Sequence, residues 1–247
     1  VKPADWTEPV DSSSELSDSL ITPDFVGEPG VLYHFHVDPA KNKDGRGDAA
    51  GLAIAYVSGQ IEATDHATED LRDKGLSNTY ALTVDVPLLL QIRAVKGREI
   101  ELQLFRELLI FLRDERGFAF GRSSYDGWES LDARQQMNRK GFRVEHLSVD
   151  KNREPYQTLK TLLYDGRLFF PVARGQTQDT SREQLRILAR QGDSCAIVQV
   201  EMMELEDIKG QKIDHPAKGS KDVADAMCGA VYNAISARMP KKKRKRT

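Results

Sequence analysis

The fold is decided by YHFHVDPAKNKDGRGDAAGLAIAYVSG, residues Tyr33 to Gly59, in which a polar, glycine-rich stretch joins two apolar segments. The aromatic and β-branched residues of segment 31–37 favour a buried strand. Asp38 comes where that strand must end before Pro39. The stretch therefore predicts a hairpin with a carboxylate at its edge. Because Asp beside Pro commonly begins a turn, a site role for Asp38 requires further acids elsewhere in the chain.

Length and composition are those of a soluble globular protein. The 247 residues are 39% hydrophobic and 30% charged, and no apolar run approaches the roughly 20 residues that span a bilayer. Two cysteines cannot form a disulfide framework and the start lacks the pattern of a signal peptide, so a reducing, cytoplasmic setting fits best. The net charge of −2 combines an acidic front with a PKKKRKR end, and therefore says little about partners.

The chain divides into three parts. Residues 1–30, with DSSSELSDS and several prolines, predict a linker or arm, because they carry too little periodic apolar content to pack. Residues 31–238 form the folded domain. Residues 239–247 form a basic tail, which resembles a nuclear import signal but also fits a tail that binds DNA phosphates or docks on a packaging partner. We favour phosphate binding.

Strands and helices alternate through the domain. After the hairpin, segment 79–95 predicts a third strand, and the apolar spacing from Glu99 to Arg116 predicts a long helix. A strand, a helix ended by Gly141, a strand, a helix with Pro155 at its start, an extended piece and a helix over 182–190 follow. CAIVQVEMMEL, residues 195–205, predicts another strand. This order predicts an α/β fold with a mixed central sheet and helices on both faces.

A second acid, Asp126, stands in AFGRSSYDGWES just past the strand that follows the long helix. If the strands run parallel, Asp38 and Asp126 both lie at carboxyl ends, where open α/β sheets place their sites. Asp-Gly is also a strong turn signal, so a purely structural role for Asp126 stays open.

Two more acids stand near the end, in KIDHPAKGSKDVADAMCGAVYNAI. Ser220 is suited to cap a helix in whose first turn Asp222 and Asp225 share one face. Asp222 can serve the helix dipole alone. Asp225 is surrounded by small apolar residues, so it either faces solvent or is a buried carboxylate that needs a partner, such as a divalent metal. Lys218 and Lys221 either touch a scissile phosphate or offset the local negative charge, and the second is favoured.

Separated carboxylates of this kind suit Mg²⁺ or Mn²⁺. Two such ions about 4 Å apart can activate a water and stabilise the leaving oxygen of a phosphodiester. The sequence therefore predicts a two-metal nuclease site formed by Asp38, Asp126 and Asp225, with Asp222 near.

Three groups of motifs carry a resemblance: HVDPA…DAAGLAI, YDGWES…QQMNRKGFRVEHLSVDK…PYQTLKTLLYDGRL and DHPAKGSKDVADAMCGAV. In this order, over residues 31–237, they resemble the nuclease domain of the large terminase subunit of tailed bacteriophages. The resemblance implies an RNase H-like fold and a two-metal endonuclease that cuts concatemeric double-stranded phage DNA during packaging, in the cytoplasm of the infected bacterial host.

By position, the resemblance matches Asp38 to the acid on the first strand and Asp126 to the acid after the fourth. Asp222 and Asp225 match the last acidic motif, in which the acid that binds metal varies within the family. The chain has no G-x-x-x-x-G-K-[ST] phosphate loop. We therefore expect an isolated nuclease portion, whose partners would be an ATPase motor domain, the small terminase subunit and the portal.

Two other functions remain open at this stage. The same fold with three acids also serves Holliday-junction resolvases and transposases. Alternatively, the acids only cap helices and form turns, and the chain is a non-catalytic module that binds DNA or docks on the portal.

Overall fold

The computed structural model describes residues 24–39, 49–62, 80–93, 100–127, 130–151, 153–208, 212–215 and 220–238. The basic tail and most of the predicted arm lie outside these residues. The strands are β1 Leu32–Asp38, β2 Ala50–Glu62, β3 Tyr80–Ile92, β4 Ala119–Phe120, β5 Arg122–Tyr125, β6 Arg143–His146, β7 Leu168–Phe169, β8 Glu206–Ile208 and β9 Lys212–Asp214. The helices are α1 Gln103–Asp114, α2 Leu131–Arg139, α3 Arg153–Tyr164, α4 Arg182–Arg190, α5 Ser194–Glu204 and α6 Asp222–Arg238.

The central sheet has the strand order β6-β5-β1-β2-β3-β7. The short strand β4 also belongs to this sheet and pairs with β1. Strands β1, β2 and β3 form an antiparallel meander. On the other side of β1, strands β5 and β6 run parallel to it, as the alternation of strands and helices predicted. The expected mixed sheet is thus confirmed, with β1 between the antiparallel strand β2 and the parallel strand β5.

Helices cover both faces of the sheet. Successive side chains along a strand point to opposite faces, and apolar residues on both faces pack against these helices in two separate cores. In β1, Tyr33, Phe35 and Val37 point into a core shared with α1 and α2. His34 and His36 in the same strand point to the opposite face. The core of that face is formed with α3, α5 and α6, so two packed layers bury the sheet between them.

The last helix, α6, lies directly on β1 and β2. A Cβ at Gly51 of β2 would lie 2.2 Å from the carbonyl oxygen of Asp222, and one at Gly229 would lie 2.2 Å from Cγ of His36. Asn233 fixes the second half of the helix, since its amide donates to the Phe35 carbonyl at 3.0 Å and to Ser124 Oγ at 2.7 Å. The helix is therefore both close to the sheet and fixed along its length.

The strand predicted over residues 195–205 is wrong, because these residues form helix α5. An apolar run of this length cannot be assigned to a strand or a buried helix by its pattern alone. Asp193 decides the outcome: its carboxylate accepts hydrogen bonds from the N–H groups of Cys195 and Ala196, both at 2.9 Å, and caps the helix. The helix predicted from Glu99 to Arg116 is present but shorter, as α1.

The amino-terminal border of the folded domain lies inside the predicted arm. Within the predicted arm, Phe25 is buried against Phe118, with ring centroids 5.0 Å apart, so this part of the segment packs on the domain.

Among the described helices, none combines the length and the apolar character that a membrane span requires.

Gly51→Ala should destabilise the protein by about 1–3 kcal/mol, because the added methyl group collides with the backbone of α6 rather than with a flexible side chain. Chemical denaturation measures the change in the free energy of unfolding. Gly59→Ala in the same strand is the control, since its Cβ would meet only Thr83 Oγ1 at 3.3 Å. Equal losses in the two variants would contradict the close approach of α6.

Candidate active site

Asp38 and Asp126 lie side by side at the carboxyl ends of two parallel strands. Val37 and Tyr125, the residues before them, are paired in the sheet. The N–H of Asp126 donates to the Val37 carbonyl at 2.9 Å, which holds the start of the following turn against β1. The structure therefore brings together the two acids that the strand pattern selected. Asp126 also accepts from the N–H of Gly127, so it takes part in a turn at the same time.

Asp222, in the first turn of α6, reaches the same edge of the sheet. Its Oδ2 accepts from the N–H of Ala49 at 3.0 Å, just before β2 begins. Its carbonyl packs on Gly51, which is the cross-strand partner of Asp38. Because α6 packs closely on β2, the carboxylate of Asp222 lies near the end of β1.

The negative charges of the acids affect one another's pKa values. Burial raises the pKa of Asp38 well above its ordinary value, and the charges of Asp225, Asp126 and Asp222, in that order, raise it further. The ammonium of Lys221 lowers it. The three other predicted acids therefore lie near enough to Asp38 for their charges to oppose its ionisation.

Asp225 is a buried carboxylate, 3% exposed, and it has protein partners. The hydroxyl of Tyr156 donates to its Oδ1, and Nζ of Lys221 lies 2.7 Å from its Oδ2. Burial raises the pKa of Asp225 to about 7, although Lys221 acts against this shift. Lys221 thus offsets local negative charge, as favoured from the sequence.

A further acid, Asp150, escaped the sequence analysis. It follows β6, which is parallel to β5, and its carboxylate contacts the ammonium of Lys221. The rule that selected Asp38 and Asp126, an acid just past the carboxyl end of a parallel strand, also applies to Asp150. No comparable local signal marked Tyr156, which lies on α3.

Glu201 of α5 binds the amino end of α6. Its Oε2 accepts from the N–H groups of Val223 at 3.0 Å and Ala224 at 2.8 Å, and Ser220 Oγ lies 2.8 Å from its Oε1. The prediction that Ser220 caps this helix is therefore wrong, because a carboxylate from another helix binds the N–H groups of its first turn. Burial raises the pKa of Glu201 to about 8.

The set of donors suits a hard divalent cation, because carboxylate oxygens predominate at this edge and repel one another. As the side chains stand, no three His, Cys, Asp or Glu residues of the described segments are arranged to enclose a metal ion. Lys221, Tyr156 and backbone N–H groups engage the oxygens instead. Binding of a metal would require these side chains to rearrange.

The metal-free protein should become less stable as the pH rises from 6.5 to about 8. Glu201 and Asp225 have pKa values of about 8 and about 7 in the folded state, above their ordinary values of 4.5 and 3.8, so the folded state holds more protons in this range. Buried His36, with its pKa lowered to about 3 from 6.5, opposes this trend only below pH 6.5.

The melting temperature measured in EDTA between pH 6.5 and 8.5 checks this expectation. Glu201→Gln removes one of the two groups and should flatten the slope. A melting temperature that is constant or rises over this interval would show that these acids are not buried in the way described.

Comparisons with known proteins returned two solved structures. No protein-family model matches the chain. No curated protein matches it either. The crystal structure of the large terminase nuclease from thermophilic phage G20c is 15% identical, with 84% of each chain covered and a TM-score of 0.43. The crystal structure of the HK97 bacteriophage large terminase is 13% identical, with a TM-score of 0.44; the match covers 83% of this chain and 40% of that one.

Proposed function

We propose that the chain is a metal-dependent endonuclease that hydrolyses phosphodiester bonds of double-stranded DNA. The observation that carries this proposal is the convergence of carboxylates from β1, from the end of β5 and from α6 at one edge of the sheet. Mutually repelling carboxylates that are buried together at the carboxyl ends of the strands suit cation binding better than fold stability, because each raises the free-energy cost of ionising the next.

In this proposal Asp38, Asp126, Asp225 and Asp222 are the ligands of two Mg²⁺ or Mn²⁺ ions. Bound ions of this kind supply an activated water and stabilise the charge on the leaving oxygen. Asp38 has the central place, since the three other acids all act on it. The bond of the Asp126 N–H to the Val37 carbonyl holds the residue after β5 against β1, and the charge of Asp126 acts on Asp38.

The natural substrate in this proposal is concatemeric phage DNA, cut during genome packaging in the infected cell. The support is the series of motifs in the sequence that resembles large terminase nucleases. An ATPase motor domain, the small terminase subunit and the portal would be its partners. The basic tail, which lies outside the described residues, would add contacts to DNA phosphates.

Supercoiled plasmid should be nicked and then linearised in Mg²⁺ or Mn²⁺ and left intact in EDTA, because carboxylates alone cannot activate water near neutral pH. Agarose gel electrophoresis measures the products. A four-way junction cut in preference to linear duplex would instead indicate a resolvase. DNA binding without any metal-dependent cleavage would leave the non-catalytic module as the function.

Asp38→Asn and Asp126→Asn should each lower the rate of plasmid cleavage by at least about a hundredfold, since each removes a proposed ligand. Asp38→Asn should also leave the metal-free melting temperature unchanged or raised, because it relieves repulsion among the acids. Both variants should lose the rise in melting temperature that Mn²⁺ gives the wild type.

Asp114→Asn is the matched control. Asp114 ends α1 at the opposite end of the parallel strands and pairs with Arg113 on the surface. Its cleavage rate and response to Mn²⁺ should equal those of the wild type. Normal cleavage by Asp38→Asn or Asp126→Asn would assign that acid to a turn and remove it from the site.

A further inference from the structure

The ammonium of Lys221 lies between two carboxylates that come from different parts of the fold. It is 2.7 Å from Oδ2 of Asp225, one turn further along the chain, and it also contacts Oδ1 of Asp150 after β6. Lys221 is only 8% exposed, so this ammonium is nearly removed from water. A buried lysine in this position is held by its two acids and not by solvent.

The same cation acts on the proposed metal ligands. Asp225 is the acid with the largest effect on Asp38, and Lys221 is the group that opposes it. Asp225 uses one oxygen for Lys221 and the other for the hydroxyl of Tyr156. The Tyr156 bond can keep the carboxylate oriented when the ammonium leaves, because it comes from a different helix.

A divalent ion and this ammonium exclude each other. Both are cations that would bind Asp225, whose other oxygen already accepts from Tyr156, and at contact distance two positive charges in a buried site repel strongly. The lysine side chain has a long, flexible stem and can withdraw, whereas Asp225 is fixed on α6. Metal binding at Asp225 therefore depends on breaking the contact with Lys221.

We propose that Lys221 is an internal competitor of the metal, which neutralises Asp225 and Asp150 in the metal-free protein and releases Asp225 when a divalent ion binds. This inference rests on the proposed function, because it requires a divalent ion at the acids. It assigns Lys221 a positioning role: the ammonium holds buried carboxylates in place until the metal takes over their charge.

The test compares Lys221→Met with the wild-type full chain by isothermal titration with Mn²⁺ and by thermal melting in EDTA. The variant keeps the apolar stem and loses the charge. We expect a lower metal-free melting temperature, since two buried acids lose their partner, together with Mn²⁺ binding about tenfold tighter. A purely structural lysine would lower the melting temperature without tightening Mn²⁺ binding.

Two further variants complete the experiment. Lys221→Met with Asp150→Asn removes one charge of each sign, which protects folding, and should also bind Mn²⁺ more tightly than the wild type. Lys160→Met is the control, because that ammonium lies 5.6 Å from the ring centroid of Tyr164 on α3 and its loss should leave Mn²⁺ affinity unchanged.

Wild-type or weaker affinity in the Lys221 variants, with wild-type cleavage intact, would overturn this inference alone. Absence of Mn²⁺ binding in the wild type and in every variant, together with absence of cleavage, would overturn the proposed function and this inference with it.

Discussion

The close approach of α6 to strands β1 and β2 is the constraint on which the rest of the structure depends. Glycines stand where the helix touches the sheet, and a single methyl group at Gly51 or Gly229 would overlap atoms of the opposing element. Without this contact Asp222 and Asp225 would be ordinary acids at the start of a helix, serving its dipole. With it, they share an edge with Asp38 and Asp126, and the local concentration of negative charge becomes a property of the fold.

Burial of so many acids is unfavourable unless each charge is compensated, and the chain uses several means. Backbone N–H groups bind Asp222 and Glu201, a tyrosine hydroxyl and an ammonium bind Asp225, and the same ammonium contacts Asp150. The repulsion that acts on Asp38 is only partly relieved in this way. The negative charge that is left uncompensated is the property on which the proposed cation site rests.

Local patterns in the sequence predicted the parts of the fold that depend on neighbouring residues. The alternation along β1 and the helical spacing of α1 predict these two elements, and the rule that sites lie at the carboxyl ends of parallel strands predicts that Asp38 and Asp126 are neighbours. The apolar residues of α5 predict a strand because they lie on most sides of the helix, and the cap formed by Asp193 is the local feature that favours the helix instead.

The contacts around Asp225 were not predicted because they join distant residues. Tyr156 lies 69 positions from Asp225, and Asp150 lies 71 positions from Lys221. Glu201 binds N–H groups 22 and 23 positions away, so no capping pattern near α6 could reveal it. Such pairs follow from how α3, α5 and α6 pack together, and packing is decided by the whole core.

Asn233 has a consequence for the sequence of α6 as a whole. Its amide bonds to Phe35 and Ser124 hold the second half of the helix against β1 and β5, while Asp222 stands 11 residues earlier at the start of the helix. That separation is about 16 Å along the axis, and each residue turns the helix by about 100°. Insertion or deletion of one residue between them would rotate Asp222 away from β1 even if every small side chain were kept. The number of residues between Asn233 and the acids is therefore as constrained as their chemical identity.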